Sequence, residues 1–363
     1  MKKAAKIFLS LFLIMTFAFC VSLLWRALLL VVLLAVWKKQ AREFFGRYWS
    51  TGYHVLWTLL WAAVVCGLPR YVPLPSDRVR LYYAENGKIV LPPLSHWMVN
   101  AIVPEEELCN IGIATASVSG PMMGAGGGIM KDFYHDSRAG KIGNFTVPYS
   151  RLTWTLESPM SGAYAQGFNQ YAGDRTDPFY LIRPEGYDSR TTYPLVVFCH
   201  GYLGNWKLYT GILKDLKGCI TMCIGTRNLS GLFNAADIDR IHTYYIPLLE
   251  REGYRIDKSQ VSLLGLSNGG TATDAAYSRY PERFRNLVYI STGVNHTRRV
   301  IPKILIIGGG RDHCAQSMRQ GYEVIRRNGG EVRLFWDDDE THFILVNKRK
   351  EIVDFLNAEL LGC

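Results

Sequence analysis

The sequence predicts an α/β fold on a mainly parallel, doubly wound sheet, and three observations carry that expectation. Near-continuous apolar runs such as YPLVVFC, CITMCIG, NLVYIST and KILIIGG recur from about residue 178 onward. Runs without polar alternation belong to strands buried on both faces. Segments with helical apolar spacing lie between several of them, and that alternation implies parallel strands with helices on both faces. Chemically distinctive residues follow the ends of three of these runs, where open α/β sheets gather their active groups.

Along the chain, RVRLYYAENGKIVL is a hairpin with its turn at Asn86-Gly87. FYLIRPEG, YPLVVFCHG and CITMCIG are strands. NAADIDRIHTYYIPLLEREGY, residues 234–254, is helical, with Ile238, Ile241, Tyr245, Leu248 and Leu249 near helical spacing and Pro247 kinking it. VSLLGLS is the next strand and TATDAAYSRYPERF the helix after it. NLVYIST, KILIIGG and EVRLFWD complete the strands, MRQGYEVIRRNGG is helical between the last two, and EIVDFLNAELL closes as a helix.

Charge and hydropathy divide the chain. Its 363 residues carry a net charge of +10, but residues 1–80 hold 11 Lys or Arg against 2 Asp or Glu, and the rest hold 30 against 29. A nucleic-acid surface needs a basic patch on the folded part, and none is present. No nucleic-acid partner is expected. The basic excess flanks apolar stretches at 7–37 and 52–68, which read as membrane-anchoring helices with the lipid bilayer as partner. The first far exceeds the 7–15 apolar residues of a signal peptide. Lys2, Lys3 and Lys6 flank one end, and Lys38, Lys39, Arg42 and Arg47 the other. A tight hairpin keeps both clusters in the cytoplasm, and 52–68 then carries the rest out, giving a membrane protein with an extracytoplasmic catalytic domain. The expected organisation is therefore membrane helices at 1–68, a linker and accessory or cap segment at 69–177, and a catalytic domain at 178–363.

Cofactor signals are missing. GPMMGAGGGIM, residues 120–130, lacks the Lys-Ser/Thr ending of a phosphate cradle and reads as a mobile loop. Cys199, Cys219 and Cys223 lie in strand-like runs, as buried reduced thiols do. Cys219-x3-Cys223 has no adjoining His or second Cys pair, so no zinc site is expected there, and no cofactor is expected at all.

The strand ends hold the chemistry. VSLLGL runs into Ser267 within Gly265-Leu266-Ser267-Asn268-Gly269, a pattern that a chain with 34 glycines also yields by chance. KILIIGG is followed by Asp312, 45 residues on, and EVRLFWD by His342 a further 30 on. A serine hydroxyl becomes a useful nucleophile once a neighbouring base takes its proton. A neutral imidazole does this near pH 7, and a carboxylate fixes its tautomer and stabilises its cation. Flanking glycines relieve crowding at a sharp strand-to-helix turn. The backbone N–H groups of Tyr202, in His200-Gly201-Tyr202-Leu203-Gly204, and of Asn268 are the expected oxyanion donors. Asp337, Asp338 and Asp339 lie too near His342 in the chain to replace Asp312. His313 is a loop histidine, His200 holds the oxyanion loop, and the DDDE run is a solvated acidic loop.

With these residues in place, 178–360 resembles the α/β-hydrolase superfamily. YLIRPEGYDSRTTYPLVVFCHG and GLSNGG are most similar to its dienelactone hydrolase, feruloyl esterase and prolyl-oligopeptidase-like branch. The resemblance covers about half the chain. It implies a sheet of α/β-hydrolase type and a serine hydrolase cutting an ester, thioester or amide of a small or lipid-like molecule through an acyl-enzyme. Only about ten residues, GVNHTRRVIP, join NLVYIST to KILIIGG, which leaves no room for a lid there. An acyltransferase on the same triad and a non-catalytic hydrolase-like binding module remain alternatives.

Overall fold

A computed structural model describes residues 79–90, 142–143, 177–201, 206–226, 228, 232–294 and 302–362, with scattered positions before residue 60 and at 128, 129 and 132. The chain divides into two compact units, Met1–Val72 with Trp97–Gly127, and Pro73–His96 with Gly128–Cys363.

In the first unit, Trp37 donates its indole N–H to Ser10 Oγ at 2.6 Å, and Lys6 Nζ lies 5.9 Å from the centre of the Trp37 ring. A straight helix would hold residues 27 apart about 40 Å from each other. Ser10 and Trp37 therefore do not lie on one continuous straight helix. Among the described residues no helix is long and apolar enough to cross a membrane. The stretches 7–37 and 52–68 expected to do so lie largely outside those residues, as does the glycine-rich segment at 120–130 apart from Gly128 and Ile129.

The second unit holds the sheet. Its strands are β1 (Val79–Glu85), β2 (Lys88–Val90), β3 (Ile142–Gly143), β4 (Asp177–Ile182), β5 (Tyr193–Cys199), β6 (Ile220–Ile224), β7 (Ile256–Leu266), β8 (Asn286–Ile290), β9 (Lys303–Gly309) and β10 (Val332–Asp337). They lie in the order β10-β9-β8-β7-β5-β6-β4-β1-β2, with β3 beside β1. The pairings from β10 across to β6 are all parallel, and β4 runs antiparallel to both β6 and β1. The hairpin of β1 and β2 turns at Asn86 and Gly87, both at positive φ. The sheet thus begins at Val79, inside the stretch read from sequence as linker and accessory segment. β1 joins through six residue pairs with β4, a contact almost 100 residues distant in sequence.

The helices are α1 (Trp206–Leu213), α2 (Ala235–Arg240), α3 (Ile246–Arg251), α4 (Gly270–Arg279), α5 (Ala315–Arg327), α6 (Ile344–Asn347) and α7 (Arg349–Leu356). Successive strand side chains point to opposite faces, and both faces here are covered. Leu195, Val197 and Cys199 share one core with Ile238, Ala272 and Met318 from α2, α4 and α5. On the other face, Phe198 meets Tyr209 of α1 and Phe335 meets Phe355 of α7, at ring distances of 5.0 and 5.6 Å. This double burial is why the strands read as unbroken apolar runs.

The helical segment 234–254 starts with a capping box. Asn234 Oδ1 accepts from the N–H groups of Ala236 and Asp237, and Asp237 Oδ2 accepts the N–H of Asn234. The kink expected at Pro247 takes the form of a π turn, Ile241–Tyr245, between α2 and α3. Proline lacks the N–H that would continue the ladder, and the wider turn re-phases the chain around that gap.

Asp177, 1% exposed at the start of β4, accepts a 2.6 Å hydrogen bond from Arg240 at the end of α2. The same guanidinium lies over Tyr244 and Tyr245. Removing the carboxylate would leave a largely buried cation without its counter-charge, at a cost of about 3–5 kcal/mol. Asp177→Ala is therefore expected to lose about that much stability in urea unfolding. A loss below about 1 kcal/mol would contradict this role for the pair.

Candidate active site

The parallel strands deliver three distant side chains to one place. β7 lies between β5 and β8, with Cys199 opposite Gly265 and Leu266 opposite Ile290, so the chain leaves the sheet immediately before Ser267. Ser267 then takes φ +51°, the left-handed region that serine seldom occupies, and a 3-10 turn over Ser267–Gly269 leads into α4. Such a conformation costs roughly 1–3 kcal/mol and persists only when its surroundings over-determine it. Those surroundings are backbone. A Cβ on Gly265 would run into the Gly269 carbonyl and Thr273 Oγ1, and one on Gly269 would strike the Cys199 carbonyl at the end of β5.

Ser267 Oγ lies 2.8 Å from Nε2 of His342, which stands in the segment between β10 and α6. Nδ1 of the same ring lies 3.1 and 3.0 Å from the two carboxylate oxygens of Asp312, just beyond β9. A carboxylate only accepts, so Nδ1 carries the proton and donates it to Asp312. Nε2 is then left with a lone pair facing the serine hydroxyl, which donates to it. The Asp312 side chain is fully buried, and Oδ1 also accepts the N–H of Cys314 at 2.8 Å. Burial by itself would raise the pKa of this carboxyl. The hydrogen bonds from His342 and Cys314 outweigh it and hold Asp312 below the usual carboxylate value.

Asn268 follows Ser267 in the first turn before α4, where backbone N–H groups lack intrahelical partners and helical dipoles favour negative charge. Tyr202, the other expected donor, lies outside the described residues. The segment leading to it does not: a Cβ on Gly201 would sit 3.0 Å from Ser267 Cβ, so the backbone passes close beside the serine. His200, fully buried, donates from Nδ1 to the Gly201 carbonyl at 2.9 Å and packs on Phe233. It thus holds the Gly201 carbonyl, while the rest of the loop it is expected to hold lies outside the described residues.

Of the rival carboxylates, Asp337 pairs with Lys348, Asp338 with Arg319 and Trp336, and Asp339 with Arg311. The acidic run is tied to neighbouring cations. His313 is closer to the site than a loop histidine need be. Its Nδ1 lies 3.2 Å from Asp312 Oδ1, and its ring centre lies 4.5 Å from that of His342. Adjacency to Asp312 in the chain was the only sequence signal for this. Ligand atoms of Asp312, His313 and His342 all fall within 4.8 Å of one another, the donor set a cation would find here. Phe343, also not singled out from sequence, stands edge-on to the His342 ring at 5.8 Å and is 42% exposed. Cys199, Cys219 and Cys223 are buried and, among the described residues, form no disulfide, as read from their strand positions.

No family model matches the chain, and no curated protein does. It is similar to several solved structures. One is a thermostable esterase, 21% identical over 50% of this chain and 58% of that one, with a TM-score of 0.41. Another is an acylaminoacyl peptidase from Pyrococcus horikoshii, 16% identical over 52% and 40%, with a TM-score of 0.41. A third is a CE1 ferulic acid esterase from Anaeromyces mucronatus, 19% identical over 51% and 87%, with a TM-score of 0.39. The chain thus spans 58% and 40% of the lengths of the first two. It is this chain's own strand order, together with its strained serine turn, that makes the fold α/β-hydrolase-like.

Burial pushes the His200 ring down from 6.5 to about 4. The folded state therefore keeps His200 neutral at pH values where the unfolded chain protonates it. His200 contributes stability that is complete above pH 6.5 and is lost as pH falls toward 4, on the order of 3 kcal/mol in full. Urea unfolding between pH 7.5 and 4.5 should show this loss in the wild type and a distinctly shallower one in His200→Asn. Parallel pH profiles for the two proteins would refute it.

Proposed function

We propose that the chain is a serine hydrolase that cleaves a carboxylic ester through an acyl-enzyme on Ser267. One observation carries this reading: the unbroken relay from Ser267 Oγ through His342 to the buried Asp312, with every hydrogen bond at 3.1 Å or less. In the first half-reaction His342 Nε2 takes the Ser267 proton as Oγ bonds to the ester carbonyl carbon. The resulting imidazolium is stabilised by Asp312 and returns that proton to the departing alcohol. In the second half, water repeats the steps with the acyl group on Ser267 as electrophile. The N–H groups of Asn268 and Tyr202 receive the oxyanion in both, each worth about 3 kcal/mol of barrier. The exposed ring of Phe343, next to His342, offers an apolar surface to one side of the ester and favours an acyl or alcohol group with apolar character.

The same reading places the enzyme on a membrane with its catalytic domain outside the cytoplasm. The contact of Ser10 and Lys6 with Trp37 supports this, because it brings the ends that carry the two basic clusters together. Residues 52–68 then supply the outward crossing.

Ser267→Ala is expected to abolish turnover of p-nitrophenyl butyrate and labelling by a fluorophosphonate probe. Asp312→Asn should lower kcat about 10^4-fold by presenting the wrong imidazole tautomer. Undiminished labelling of Ser267→Ala would sink the assignment. For the topology, a C-terminal alkaline phosphatase fusion should be active and a fluorescent cytoplasmic reporter dark; the reverse pattern would reject an outward-facing domain.

A further inference from the structure

The proposed mechanism needs one imidazole, yet two lie against Asp312. Nδ1 of His313 stands 3.2 Å from Oδ1, and Nδ1 of His342 stands 3.1 and 3.0 Å from Oδ1 and Oδ2. The His313 side chain is 73% exposed, that of His342 is 22% exposed and that of Asp312 is fully buried. The buried carboxylate thus forms the floor of a small donor cluster whose outer wall is open to solvent. Two imidazole nitrogens and one carboxylate oxygen make up a zinc donor set that leaves a fourth position for water. Tetrahedral zinc holds such atoms at 2.0–2.2 Å and therefore about 3.3–3.5 Å from each other. The ligand atoms here all lie within 4.8 Å of one another, so rotation of the exposed His313 ring is the main adjustment required.

We propose that Asp312, His313 and His342 form an inhibitory Zn2+ site. The inference rests on the hydrolase reading and concerns regulation of that same site, with zinc acting as an inhibitor and not as a resident cofactor. Its effect follows from the tautomer. A zinc ion on His342 Nδ1 occupies the lone pair that Nδ1 can offer only after losing its proton. The neutral ring keeps its single proton by moving it to Nε2. Nε2–H then donates to Ser267 Oγ, 2.8 Å away, which gives the metal-bound ring the outer hydrogen bond such ligands require. The ring has no lone pair left with which to take the serine proton. Asp312, its carboxylate bound to the cation, no longer orients the imidazole for catalysis. Zinc and proton relay thus compete for one face of one ring, and His313 serves only the zinc.

Zinc titrated into the full-length protein should inhibit p-nitrophenyl butyrate hydrolysis, and EDTA should restore it. In His313→Gln the inhibitory zinc concentration should rise at least about tenfold. Isothermal titration calorimetry of zinc into both proteins supplies a readout independent of turnover, and the same tenfold weakening is expected. Tetrahedral absorption bands of Co2+ should appear in the wild type and fade in His313→Gln. Equal zinc affinity in the two proteins, or zinc inhibition unchanged by His313→Gln, overturns the site. Zinc binding that depends on His313 in a protein that turns over no ester would leave the site standing and refute the hydrolase reading instead.

Discussion

The structure depends on one backbone constraint, the left-handed turn at Ser267. A serine at φ +51° between the end of a central strand and the start of a helix is unfavourable by itself. It is imposed because β7 is clamped by parallel neighbours on both sides and because the turn packs backbone to backbone against the end of β5. The apolar runs that build the sheet thus do more than form a core. They supply the rigidity that keeps one hydroxyl aimed at one ring nitrogen. A looser sheet would let the turn relax and separate Oγ from Nε2.

A second constraint is electrostatic. Asp312 is buried at the end of β9, where a lone carboxylate would be driven to take up a proton. It stays ionised because His342 and the Cys314 N–H both donate to it. That ionised state fixes the His342 tautomer and so determines which nitrogen faces Ser267. The same carboxylate draws in His313. A group arranged to orient one imidazole has attracted a second, and the cation-binding capacity of the cluster follows from that shared acceptor.

The legible parts of the fold are those whose physics is local. YPLVVFC and KILIIGG read as strands because both their faces are buried, and Ser267, Asp312 and His342 stood out because each follows such a run. Pairing over long distances was less visible. Nothing in RVRLYYAENGKIVL says that it lies against β4, almost 100 residues later, or that it extends the catalytic sheet. The π turn before Pro247 was legible only as a kink, since proline marks the broken ladder without saying how the chain re-phases. His313 was legible as a neighbour of Asp312 in sequence, but its contact with the carboxylate and the His342 ring depends on loop geometry that no periodicity encodes.

The central claim is that His342 presents an unprotonated Nε2 to Ser267 while Nδ1–H is held by Asp312. Nitrogen-15 NMR of the histidine rings above pH 7, assigned through a His342→Gln variant, reports that directly. The account predicts a neutral His342 ring protonated at Nδ1, with its Nδ1 proton shifted far downfield and that shift lost in Asp312→Asn. A His342 ring protonated at Nε2 in the metal-free wild type would contradict it.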